Sequence, residues 1–430
     1  MTAFTFPQGF FWGSATSAHQ VEGHNTNNDW WVWEQQGRTI DPSGEACDQY
    51  RRFRDDFDLA KSLGHTAHRF SIEWSRVEPR EDEWNGEAIA HYQEVVRALR
   101  ERHLEPIVTL HHFTTPLWMA AQGGWTNPKI VERFMRYSRT MAEALGGQVR
   151  YWVTINEPMV YATMHYLDGV GPPGKQDLGL TFLVMEHLVR AHAASYHAIH
   201  QAVAAQGRAA TVAIAMHWQQ FVPHRRWWPP DRLVGHATEQ VYNFRFVDAI
   251  MEGRLRVPGR RPVRIPNAHE TMDFLGVHYY GRAFMRQAPG RRGVWAGARC
   301  GTDHHREVTE RNFLGWDVYP RGLYEILHWA TRYGRPIFVT ENGICTQDDR
   351  QRERFILRHV QWVARAMQEG VPVMGYLYWS LLDNFEWAKG FAPRFGMIEV
   401  DYRTQERRAR DSARRFAQLI QANRADLPDG

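Results

Sequence analysis

Short runs of apolar and β-branched residues recur along the whole chain, and several are separated by longer segments with apolar residues at helical spacing. The strand-like runs cover 10–15, 66–71, 106–111, 150–155, 211–216, 273–278, 336–340 and 373–379. Segments 88–102 (Ile89, Tyr92, Val95, Val96, Leu99) and 354–369 (Phe355, Leu357, Val360, Val363, Met367) carry their apolar side chains on one helical stripe. Strands that alternate with helices imply βαβ units and a parallel sheet. Eight such units favour a closed (β/α)8 TIM barrel over an open doubly wound sheet. No low-complexity stretch, linker or composition break divides the 430 residues, so a single (β/α)8 domain over 1–430 is predicted.

A barrel gathers its chemistry at the C-terminal ends of its strands, and the polar residues of this chain fall there. In Tyr151-Trp-Val-Thr-Ile-Asn-Glu157 the two-residue period puts Val153, Ile155 and Glu157 on one face. In Ile337-Phe-Val-Thr-Glu341 it groups Ile337, Val339 and Glu341. The same reading aligns Val108, Leu110 and His112, then Gly375, Leu377 and Trp379, and sets Arg69 after Ala67. Each glutamate is followed by a turn signal, Pro158 or Asn342-Gly343. Two carboxylates on one concave face, with aromatics and an arginine, suit glycoside hydrolysis. One carboxyl works as acid/base while the other attacks or stabilises an oxocarbenium-like centre.

Composition narrows the alternatives. Hydrophobic residues make up 43% and charged residues 23%, ordinary globular values that exclude disordered, collagenous and coiled-coil chains. No run approaches the roughly 18 apolar residues of a membrane span. The 52 basic and 48 acidic residues are interspersed, giving a net charge of +4 without a basic patch for nucleic acid. Cys47, Cys300 and Cys345 lack CxxC spacing, the N-terminus lacks a basic n-region and apolar h-region, and no glycosylation sequon occurs. A cytoplasmic setting is therefore expected, with no membrane or nucleic-acid partner.

Six motifs in order make the chain resemble family 1 glycoside hydrolases, the β-glucosidase family, from about residue 4 to 402. They are Phe6-Pro-Gln-Gly-Phe-Phe-Trp-Gly-Ser-Ala-Thr-Ser-Ala-His-Gln-Val-Glu-Gly23, His68-Arg-Phe-Ser-Ile-Glu-Trp-Ser-Arg76, Thr109-Leu-His-His-Phe113, Thr154-Ile-Asn-Glu-Pro158, Val339-Thr-Glu-Asn-Gly343 and Trp379-Ser-Leu-Leu-Asp-Asn-Phe-Glu-Trp387. The resemblance implies that Glu341 is the nucleophile and Glu157 the acid/base, with Arg69 and Tyr280 holding the nucleophile ionised. It implies that Gln20, His112, Asn156, Glu386 and Trp387 bind the hydroxyls of the non-reducing sugar, with Trp379 as stacking floor. Phe395, at the end of the same stretch, is grouped with the substrate-binding residues. No metal or organic cofactor is implied, and a small β-glycoside or oligosaccharide is the expected partner. A 6-phospho-β-glycosidase is disfavoured, because Glu386 stands where those enzymes carry serine. A non-catalytic sugar-binding relative is disfavoured by the presence of both glutamates.

One departure from the family is Gly276-Val-His-Tyr-Tyr280, where His278 stands in place of the usual asparagine. His278 either titrates and modulates the pH dependence, or donates the hydrogen bond that asparagine would make. Gly169-Val-Gly-Pro-Pro-Gly174 matches GxGxxG but carries two prolines in the turn, so it is read as a loop and not as a dinucleotide site. His304 and His305 are adjacent and point apart, which argues against a metal held by that pair. Segment 403–424 is read as an outer barrel helix. Segment 282–312 is read as a long aperiodic loop bordering the barrel mouth.

Overall fold

The computed structural model describes residues 3–288 and 297–428. Eight parallel strands close a barrel in chain order: β1 (Phe11–Ala15), β2 (Ala67–Ser71), β3 (Glu105–His111), β4 (Tyr151–Asn156), β5 (Thr211–His217), β6 (Leu275–Tyr279), β7 (Ile337–Asn342) and β8 (Val373–Trp379). Pairing of Phe11 with Gly375 through to Ala15 with Trp379 joins β8 to β1. Outer helices follow the strands: α1 (Gln49–Ser62), α2 (Gly86–Glu101), α3 (Ile130–Leu145), α4 (Leu178–Ala204), α5 (Arg245–Glu252), α6 (Arg321–Ala330), α7 (Asp349–Gln368) and α8 (Asp411–Ala422). All eight expected strands are present, with ends displaced by no more than two residues. Helix α7 begins well before its apolar stripe, because the Asp348 carboxylate accepts from the Arg350 amide at 2.9 Å and caps a charged first turn.

Seven strands, and Phe274 just before β6, supply side chains to one interior cluster that includes Phe11, Ala67, Ile107, Val153, Ala213, Phe338 and Leu377, and this fills the barrel. A larger cluster packs the outward strand faces on the helices. No described helix is long and apolar enough to cross a membrane.

Three readings of strand faces are corrected by the structure. On β4, Tyr151 and Val153 face the interior, but Ile155 packs outward, because the pairing with β5 slips between Val153 and Asn156. On β7, Phe338 faces inward while Ile337 and Val339 face the helices, and the pairing with β8 slips between Val339 and Asn342. Val108 and Leu110 of β3 also face outward; His112 reaches inward from beyond the strand end, beside Phe113 at φ 73°. A slip of one residue exchanges the two faces of a strand. The glutamates thus reach the barrel mouth by local irregularity rather than by simple alternation.

Two loop readings also change. In the 282–312 segment, Ala283–Gln287 pairs with Gly297–Cys300 and with Phe221–Pro223 in a three-stranded sheet; residues 289–296 lie outside the described residues. In 403–424 only Asp411–Ala422 is helix, preceded by Arg407–Ala409, which pairs with Ile398–Val400. Residues 169–174 form a loop, as the prolines require.

Candidate active site

A cavity of about 960 Å³ opens at the C-terminal end of the barrel, and Glu157, Glu341, Gln20, His112, Tyr280 and Glu386 line it. Trp379, Trp387 and Phe395 line it as well. Glu157 sits just past β4 in the left-handed region (φ 43°), with its amide bonded to the Ala215 carbonyl at 2.7 Å and Pro158 opening the next helix. This turn aims the carboxyl across the mouth towards β7. Glu341 lies within β7, two residues before Gly343. A Cβ on Gly343 would stand 1.9 Å from the Trp379 carbonyl oxygen, so only glycine lets β7 leave the barrel this close to β8.

One carboxylate oxygen of each glutamate and a ring nitrogen of His278 lie within 4.8 Å of one another. The surroundings of the two carboxyls differ. The Arg69 guanidinium donates from Nη1 to Glu341 Oε1, and the Tyr280 hydroxyl donates to Glu341 Oε2 at 2.7 Å. Arg69 is itself fixed by Nε donating to Thr109 Oγ1 at 2.9 Å and Nη2 donating to Asn156 Oδ1. Burial pushes the Glu341 carboxyl upward, but Arg69 and Tyr280 pull it back. Glu157 lacks a guanidinium of its own; burial and the neighbouring Glu341 hold it well above the ordinary carboxyl range. Both carboxyls stand above the ordinary range, and the unequal surroundings favour the proton on Glu157 and the charge on Glu341.

His278 lies between them. Its Nδ1 is 2.8 Å from Glu157 Oε1 and 3.4 Å from Glu341 Oε2, while Nε2 faces Arg69 Nη1 at 3.5 Å. A neutral ring with its proton on Nδ1 satisfies these contacts. Burial, then the charge of Arg69, depress the imidazole well below its usual value. These contacts and this direction favour the hydrogen-bonding reading of His278 over the pH-modulating one. Glu157, His278 and Glu341 also offer ligand-type atoms, but a guanidinium already supplies positive charge there.

A second corner carries the residues expected to meet the sugar. Gln20 Nε2 donates to Phe385 O at 2.8 Å, to Asn384 Oδ1 at 3.1 Å and to Glu386 Oε2 at 3.3 Å. Glu386 is pushed up to about 8 by burial and the charge of Glu341. The His112 ring is near-parallel to Trp379 and Trp387, with centroids 5.8 and 6.2 Å away. Asn156 Nδ2 donates to His112 Nε2 at 3.3 Å. Phe395 packs edge-on to Tyr280 at 6.0 Å. All eleven expected catalytic and binding residues are thus brought to the one cavity or its immediate wall. Trp33, Arg38, Trp316 and Arg299 also line it and were not anticipated. The tryptophan-dense run Trp30-Trp31-Val-Trp33 is the available signal for the first.

The sequence model described as glycosyl hydrolase family 1 matches residues 2–425. The chain belongs to that family. Among its family 1 relatives, a 1,4-beta-D-glucan glucohydrolase of Thermotoga neapolitana is 31% identical over 97% of this chain and 98% of that protein. A beta-galactosidase of Pyrococcus woesei is 30% identical, covering 97% of each. Among solved structures, a beta-glycosidase from Pyrococcus horikoshii superposes with a TM-score of 0.92 at 38% identity, covering 99% of this chain and 97% of that one. A beta-glucosidase from Thermotoga maritima in complex with glucoimidazole gives 0.89 at 30% identity, covering 97% and 99%. The family 1 fold and the barrel described above are one and the same architecture.

Proposed function

We propose that this chain is a retaining β-glycosidase, of β-glucosidase type with β-galactosidase and β-fucosidase activity, in which residues 1–430 act as one catalytic unit. The observation that carries the reading is the pair of buried carboxyls with oxygens within 4.8 Å, one paired with Arg69 and the other not. Retaining enzymes hold their carboxyl groups about 5–5.5 Å apart, and inverting ones leave room for an intervening water. Relatives named beta-glucosidase A and beta-galactosidase support the glucose and galactose part of that range.

Glu341 attacks the anomeric carbon as the bond to the leaving oxygen breaks, and the proton of Glu157 passes to that oxygen. The product is an ester between the sugar and Glu341. Glu157, now ionised, takes a proton from water, whose oxygen bonds to the anomeric carbon and frees Glu341 with net retention. An acceptor alcohol can replace that water, giving transglycosylation. Arg69 and Tyr280 keep Glu341 ionised. Gln20, His112, Asn156, Glu386 and Trp387 read the hydroxyls, while Trp379 covers the apolar sugar face and Phe395 backs the cavity wall. The three free thiols support a reducing, cytoplasmic setting.

The test is kcat/KM over a panel of aryl β-glycosides and cello-oligosaccharides, including a 6-phospho-glucoside. Glu341→Ala should abolish turnover. Glu157→Ala should still form the glycosyl-enzyme from an activated aryl glycoside, and azide should restore turnover to give the β-glycosyl azide. An α-azide, or preference for the 6-phospho-glucoside, overturns the reading.

A further inference from the structure

His305, adjacent to His304 in sequence, finds different company in the fold. His224 Nδ1 stands 3.2 Å from His305 Nε2, and the two rings meet edge to face at 5.0 Å. Cys300 completes the group: its sulfur and one nitrogen of each histidine lie within 4.8 Å of one another. Two zinc–nitrogen bonds of about 2.0–2.1 Å at the tetrahedral angle separate their nitrogens by about 3.3 Å. The spacing fits a shared ion with little movement.

The ligand set is positioned before any ion arrives. His224 follows Phe221–Pro223 and its amide donates to the Met285 carbonyl at 2.7 Å. Cys300 ends Gly297–Cys300, and both segments flank Ala283–Gln287 in the rim sheet. The His305 ring stacks on Phe284 with centroids 3.6 Å apart, which fixes its plane. Of the arginines nearby, which oppose a cation, Arg225, Arg226 and Arg282 are paired with Asp231, Glu307 and Asp317 and Arg299 donates to Gln219 Oε1 at 3.0 Å, while the charge of Arg286 still reaches Cys300. Cys300 and Phe284 also line the substrate cavity, so this cluster stands at its rim.

We propose that His224, Cys300 and His305 bind a divalent zinc ion at the cavity rim, with the fourth position left to water. The ion displaces the Cys300 proton to solvent and replaces the contact between the two histidines with two metal–nitrogen bonds. It would pin the rim sheet and the turn after it into one piece.

The test uses the full chain, stripped with a chelator and titrated with Co2+ alone as an optical substitute for zinc. The expected result is a thiolate-to-cobalt charge-transfer absorption with intense tetrahedral visible bands, lost on adding Zn2+. Cys300→Ser should abolish the charge-transfer absorption. His224→Gln and His305→Gln should each weaken Co2+ binding by about tenfold or more, and His304→Gln should not. Far-UV circular dichroism of each variant separates lost binding from lost fold. Absence of the absorption in the native chain, its persistence in Cys300→Ser, or native affinity for Co2+ in either His224→Gln or His305→Gln overturns the proposal. Cobalt held by oxygen and nitrogen alone gives no thiolate absorption.

Discussion

Replacing His278 separates a hydrogen-bond donor from a titrating cation. The neutral ring donates from Nδ1 to Glu157 Oε1 at 2.8 Å, with Glu341 Oε2 at 3.4 Å, Arg69 across Nε2, and His112 and His217 nearby. A buried hydrogen bond to a charged acceptor is worth about 1.5–3 kcal/mol against about 1 kcal/mol for a neutral one. The donor therefore favours ionised Glu157 by about 0.5–2 kcal/mol, or roughly one pH unit at 1.36 kcal/mol per unit. His278→Leu removes it, so the Glu157 pKa, already raised, should rise by about one further unit. In the profile of kcat/KM against pH, loss of the Glu157 proton sets the basic limb and protonation of Glu341 the acidic limb. The basic limb should move upward in His278→Leu and return in His278→Asn, which restores a donor. The assay is one aryl β-glucoside across the pH range at fixed ionic strength. A displaced acidic limb in His278→Asn with an unchanged basic limb would falsify the neutral assignment.

Glu386→Ser should lower kcat/KM on an aryl β-glucoside by about a hundredfold or more, because contacts to the sugar strengthen in the transition state; a loss under fivefold contradicts its role. Gly343→Ala should cost about 1–3 kcal/mol or more, since its Cβ would meet the Trp379 carbonyl at 1.9 Å, and native-like urea unfolding would refute the close-approach argument. Acid should destabilise the fold. His65, His68, His111, His165 and His359 are held by burial to about 3, and on unfolding they return to about 6.5. Within that window the unfolded chain binds more protons, so the stability present above it falls as pH drops through it. Nine carboxyls raised by burial, among them Asp29, Glu239 and Glu386, act in the opposite sense, against eleven lowered histidines in all. The thermal midpoint should be lower at pH 5 than at pH 7, and an equal or higher value would contradict this balance.

Periodicity made the barrel legible, because eight apolar runs and their intervening stripes are properties of neighbouring residues. The two glutamates were legible as well, but through their motifs and not through alternation. Ile155 and Val339, expected to share a face with them, point the other way across register slips that no local pattern announces. The rim sheet was misread as loop because Ala283–Gln287 pairs with a strand far upstream and its own run is short. The His224–His305 pair is invisible for the same reason: 81 residues separate partners that only the fold brings together. Local sequence reports period and turns; it does not report which distant segment supplies the fourth side of a cluster.

The seam between β1 and β8 has a consequence for synthesis. Gln20, beside β1, bonds Asn384 across 364 residues of chain. At about 5–20 residues per second, a ribosome needs roughly 20–70 s to deliver that partner. Until then β1, with Phe11 and Trp12, offers one unpaired edge, the kind of surface that chaperones cover. Gln20 and Glu386 meet only when the last strand docks, so the nascent chain completes its sugar-facing corner in the same event that closes the barrel.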